Sequence, residues 1–96
     1  MDIGINDSLK TEIVELAKQH NLKKVILFGS RARGDYSRVS DVDIAVNGGD
    51  IAGFSIDVEE ETNTLLEFDI VNLDGCVQEE LLESIKKEGV VIYEEI

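Results

Sequence analysis

The feature that most constrains this chain is the stretch Asp41-Val42-Asp43-Ile44-Ala45-Val46. A strand sends successive side chains to opposite faces. Val42, Ile44 and Val46 therefore turn to a core, while Asp41 and Asp43 share the other face, about 7 Å apart at roughly 3.3 Å per residue. Two carboxylates at that spacing can touch one cluster of hard cations. Upstream, the apolar run Val25-Ile26-Leu27-Phe28 stops at Gly29-Ser30. That is the pattern of a buried strand running into a tight turn with exposed backbone.

The remaining elements follow from periodicity. Leu9, Ile13, Leu16 and Ala17 predict a helix over 8–20, with Asn6, Asp7 or Ser8 as N-cap and Asn21 as its stop. Residues 24–28 form the first strand. A short helix comes after Ser30, ended by Gly34, and 35–40 is a polar loop. The second strand covers 41–47. Ile51, Phe54, Val58 and Thr62 predict a helix within 50–66. Residues 67–73 form a third strand, and Asp74-Gly75 a turn. Residues 77–88 form a helix capped by Asp74, with Gly89 at its C′ position. Val90-Val91-Ile92-Tyr93 is a last strand. The expected fold class is α/β (α+β): a small mixed sheet with helices packed on it, in a single domain over 1–96.

Composition excludes several classes. The net charge of −12 repels phosphate backbones, so nucleic acid is not an expected direct partner; so acidic a surface suits a basic protein partner and equally suits high salt, and composition does not separate the two. No apolar stretch reaches the length of a membrane span, and the N-terminus lacks the pattern of a signal peptide. Cys76 is the single cysteine, which fits a reducing cytoplasm.

The third strand carries one charge in the run from Phe68 to Leu73. By alternation Asp69 shares a face with Val71, opposite Phe68 and Ile70. A carboxylate buried there has to be paired, hydrogen-bonded or bound to metal. If this strand lies beside 41–46, three carboxylates converge. Hard oxygen ligands without a nearby histidine or cysteine cluster favour magnesium or manganese over zinc.

Each piece alone is ordinary. Together, strand, Gly29-Ser30, ten residues, Asp41-Val42-Asp43 and a lone Asp69 in a later strand make a specific pattern. It resembles the signature of the DNA polymerase β-like nucleotidyltransferase superfamily. Phe28-Gly29-Ser30-Arg31-Ala32-Arg33-Gly34 narrows the resemblance to the minimal nucleotidyltransferases. These are small prokaryotic proteins of the MntA type, paired as antitoxins with RNase toxins of the HEPN class.

The resemblance implies a cytoplasmic protein adenylyltransferase that moves AMP from ATP to a tyrosine hydroxyl of a HEPN toxin by a two-metal mechanism. It implies metal on Asp41, Asp43 and Asp69, with Mg²⁺ as two ions and Mn²⁺ as a substitute, and Asp69 also taking the acceptor proton. Gly29, Ser30, Arg31 and Arg33 would hold the nucleotide: Gly29 by close approach of backbone, Ser30 by its hydroxyl and the arginines by charge. Two other readings stay open. The acceptor is a small hydroxylated molecule such as an aminoglycoside, or the chain is a non-catalytic toxin-binding module. Homo- or hetero-oligomers are compatible with all three. His20 is expected to meet the last carbonyls of its helix, Tyr93 and Phe68 to lie in the core, Glu59 to Glu61 to be solvated, and Tyr36 to be a secondary candidate for nucleotide or partner contact.

Overall fold

A computed structural model of the chain describes residues 4–62 and 64–95. Eight elements alternate: α1 Asp7–Gln19, β1 Lys24–Phe28, α2 Ser30–Arg33, β2 Val42–Asn47, α3 Ile51–Glu61, β3 Phe68–Asn72, α4 Glu79–Glu88 and β4 Val90–Glu94. The four strands form one sheet in the order β3-β2-β1-β4. β1 runs antiparallel to β2 and β4, and β2 runs parallel to β3. A parallel pair needs a crossover, and α3 supplies it.

Asn6 starts α1: its Oδ1 accepts the Leu9 amide at 2.7 Å, and Leu9, Ile13, Leu16 and Ala17 are buried. The helix ends where Asn21 takes a left-handed φ of 58°. Gly34 ends α2 in the same conformation, its amide donating to the Ser30 carbonyl at 2.8 Å.

The sheet has two unequal faces. Val25, Leu27, Val42, Ile44, Val46, Phe68 and Ile92 point to the larger core, where α1 and α3 bring Ile13, Leu16, Phe54 and Val58. Phe28, Ala45 and Ile85 of α4 form the smaller one, joined by Ile26, Val71 and Leu81. Alternation puts Asp41, Asp43 and Asp69 on this second, thinly covered face. Among the described residues no helix is long and apolar enough to cross a membrane.

Five expectations change. α3 stops at Glu61, because Thr62 turns extended and its buried hydroxyl donates back to the Val58 carbonyl at 2.5 Å. The predicted helix over 50–66 thus ends early; its position 63 lies outside the described residues. α4 begins at Glu79 instead of 77. Asp74 does not cap it, since its Oδ2 accepts the Gly48 amide at 2.8 Å and so ties the turn after β3 to the end of β2. Gly89 is extended (φ −65°), not left-handed. It is a glycine for space: a Cβ there would run into the Ile85 carbonyl and Ile26, so α4 sits hard on β1. The His20 ring leaves the α1 carbonyls and bridges to α3, with Nε2 2.7 Å from Asp57 and Nδ1 3.5 Å from Asp50. Phe68, Tyr93 and the exposed Glu59 to Glu61 lie as expected.

Candidate active site

β1 delivers the chain to Gly29 at the margin of the thin face. Gly29 has φ 75° and ψ −156°, a region open almost only to glycine. The cause is on the neighbouring strand. A Cβ at Gly29 would fall inside the Asp43 carboxylate, so the close approach here is that of Asp43. Ser30 then opens α2, and the Gly29 carbonyl accepts the Ala32 and Arg33 amides at 3.1 and 3.0 Å.

Asp43 is fixed from both sides. Its Cα partner is Phe28 in β1 and Asp69 in β3. Burial pushes its carboxyl pKa up, Asp69 and then Asp41 push it further, and Arg33 pulls it back. Asp41 is exposed and precedes the sheet, whose β2–β3 ladder opens with the Val42 amide donating to the Glu67 carbonyl at 2.9 Å. Asp69 sits on the edge strand and is exposed, so the expectation that burial forces a partner on it does not hold. What does hold is the adjacency: β3 lies beside β2 with Asp69 opposite Asp43.

The two arginines part company. Arg33 is exposed, with Nη1 2.9 Å from Glu88 at the end of α4 and Nε 3.2 Å from Asp35. Glu88 first and Asp35 second raise its pKa. Arg31 is 5% exposed and turns to backbone. Its Nη1 donates to the Gly4 carbonyl at 2.6 Å and its Nε to that of Ser40 at 2.9 Å. Nη2 adds longer bonds of 3.4 Å to Ser37 and Arg38, and the guanidinium stands 4.9 Å over the Tyr36 ring. The expectation set Arg31 and Arg33 to the same task; the structure turns Arg31 to backbone and leaves Arg33 exposed. Sequence reading had no signal for Glu88, which is 55 positions from Arg33.

The donor chemistry suits a hard divalent cation. The set is all carboxylate oxygen, and mutual repulsion already disfavours the charged form of Asp43. Among the described residues no three such groups stand close enough to form a ready coordination sphere. Cys76 is exposed in the segment before α4 and takes no part.

Residues 11–95 match the family model described as polymerase beta nucleotidyltransferase. A protein of Methanocaldococcus jannaschii, named as a candidate protein adenylyltransferase, is 37% identical over 75% of this chain and 79% of its own. A chain from a toxin–antitoxin crystal structure with AMP-PNP superposes with a TM-score of 0.73 at 22% identity, over 90% of this chain and 73% of that one. A chain from a mutant of the MntA–HpeT toxin–antitoxin pair gives 0.73 at 20% identity, over 95% and 75%. At those identities the superpositions speak for the fold. With the match to the family model reaching from α1 to the end of β4, this chain belongs to the polymerase β nucleotidyltransferase family.

Proposed function

We propose that this nucleotidyltransferase is a protein adenylyltransferase that acts as an antitoxin, moving AMP from ATP to a tyrosine hydroxyl of a HEPN-class RNase. The observation that carries the reading is the β2–β3 register, with Asp69 opposite Asp43, Asp41 two residues ahead, and Gly29 packed against Asp43. The M. jannaschii relative supports protein as the acceptor class. The fold shared with toxin–antitoxin chains, one of them with AMP-PNP, supports ATP and a toxin partner. The charge of −12 favours docking on a basic protein.

In the reaction the acceptor oxygen forms a bond to the α-phosphorus of ATP. The bond from that phosphorus to the bridging oxygen of the β-phosphate breaks, and pyrophosphate leaves. Asp41, Asp43 and Asp69 would hold two magnesium ions, which supply neutralisation of the triphosphate and of the charge developing on both oxygens. Ser30 binds the triphosphate through its hydroxyl. Arg33, exposed at the rim, reaches the β- and γ-phosphates once it exchanges Glu88 for them. Asp69, open to solvent on the edge strand, takes the acceptor proton.

The test is a mass spectrum of the HEPN partner after incubation with ATP and magnesium. The wild type is expected to add one or more AMP units on tyrosine, and the Asp41→Asn/Asp43→Asn double variant none. A double variant that still silences the partner's RNase without modifying it would make the chain a binding module.

A further inference from the structure

Residues 35–39 are all exposed, Val39 to 83%, and Ser40 is only half-buried. No apolar side chain anchors this segment to either core. Its internal order is a small serine turn, in which Ser40 Oγ accepts the Ser37 amide at 2.9 Å. What ties that turn to the body is Arg31. The guanidinium collects the carbonyls of Ser37, Arg38 and Ser40 on one side and of Gly4 on the other, with the Tyr36 ring across it. The contact with Gly4 is reciprocal, since the Gly4 amide donates to the Arg31 carbonyl at 2.9 Å. A Cβ on Gly4 would collide with the Arg31 backbone.

The segment ends at Asp41, which no strand pairing holds. We infer that Arg31 is a positioning residue for Asp41: it fixes the 35–40 segment against the N-terminal backbone and α2, and thereby sets where the Asp41 carboxylate stands. Its planar fork suits the task, because five donors spread at fixed angles reach carbonyls on opposite sides at once, whereas a lysine ammonium has three donors about a single nitrogen. The inference rests on the reading of Asp41 as a metal-binding carboxylate only for its effect on the reaction. The structural half stands alone.

The experiment is amide hydrogen exchange of the full chain, without metal or nucleotide, for wild type, Arg31→Met and Arg31→Lys. In Arg31→Met the amides of 35–41 are expected to exchange about tenfold faster or more, while those of β1, β2 and β4 keep their wild-type rates. Arg31→Lys is expected to fall between. Equal rates in 35–41, or acceleration spread through the strands, would overturn the inference. Should Arg31→Met fail to fold, Tyr36→Leu, at an exposed ring, decides by the same pattern with an effect of about threefold.

Transfer assays then read the second half. The half-saturating magnesium concentration is expected to rise about tenfold or more in Arg31→Met, with KM for ATP at saturating magnesium unchanged. A higher KM for ATP at an unchanged magnesium requirement would make Arg31 a nucleotide ligand instead. If the wild type transfers no AMP at all, the proposed function fails while hydrogen exchange still decides the role of Arg31.

Discussion

Asp41 and Asp43 are two residues apart and are held by different means. Asp43 lies inside β2, with a strand on either side and Gly29 against its carboxylate. Asp41 stands before the first β2–β3 ladder bond, at the end of a segment without a buried apolar side chain. Two neighbouring strands therefore fix the backbone under one carboxylate, and the hydrogen bonds of Arg31 to the preceding segment place the other. Rigid placement of part of a site and softer placement of the rest lets a substrate enter before the last group settles.

The largest expected effect is at the rigid end. Asp43→Asn removes a charge that no neighbour can replace in place, and AMP transfer is expected to fall by about 10³-fold or more, the scale of several kcal/mol of lost charge stabilisation. A fall of less than about tenfold would break the comparison, because the sheet-held carboxylate would then not be central. Asp69→Asn is expected to lower transfer by about 10²-fold or more through loss of the proton acceptor. Its melting temperature should stay close to wild type, since Asp69 is exposed on the edge strand. A large loss of stability with normal transfer would make Asp69 a structural carboxylate.

Gly29→Ala should cost about 1–3 kcal/mol from backbone strain alone, before any clash. In a domain of this size that lowers the melting temperature by on the order of 10 °C. Transfer should fall with it, because the new Cβ displaces the Asp43 carboxylate.

Asp43 also predicts a pH effect on stability. Its folded pKa lies above its ordinary value of 3.8. Between the two values the folded chain keeps a proton that the unfolded chain has released, so stability falls as pH rises through that window and the cost is complete above it. Asp43→Asn should therefore raise the melting temperature of the metal-free chain at neutral pH, and the gain should shrink as pH drops toward 3.8. Thermal melts over a pH series check this. Added magnesium should stabilise the wild type and leave the variant unmoved.

The smallest effect lies away from both carboxylates. His20→Ala removes the bridge from the end of α1 to Asp57 of α3 and to Asp50, its N-cap. A loss of about 1 kcal/mol with unchanged transfer is expected. A change in transfer would extend the rigid region to the far side of the sheet.

Much of this was legible in the chain because it is local. The alternation of Val42, Ile44 and Val46 predicts a strand and its face, and the 3.6-residue spacing of Leu9, Ile13 and Leu16 predicts a helix. Gly34 marks the end of α2 because a left-handed residue is required there. What was not legible depends on partners far along the sequence. Arg31 looks like a second Arg33 until Gly4 and the 37–40 carbonyls come to it. Asp69 looks buried by the company of Phe68 and Ile70, but it lies on the opposite face to Phe68, where α4 packs over β1 and leaves Asp69 to solvent. Asp74 has the spacing of a cap for α4 and is taken by Gly48. Gly89 has the position of a left-handed stop and is instead a place where a helix meets a strand.

The contact between Gly29 and Asp43 also has a genetic consequence. Because the missing side chain at one position makes room for the carboxylate at the other, the harm done by a substitution at 29 depends on what stands at 43. With alanine at 43 the collision with the carboxylate goes, leaving a 3.3 Å approach to the Cβ of residue 43 and the backbone strain, so the two changes together should cost less than their sum. Loss of the aspartate lowers the cost of losing the glycine to that strain and a close Cβ contact, whereas with the aspartate in place every side chain at 29 meets the collision as well.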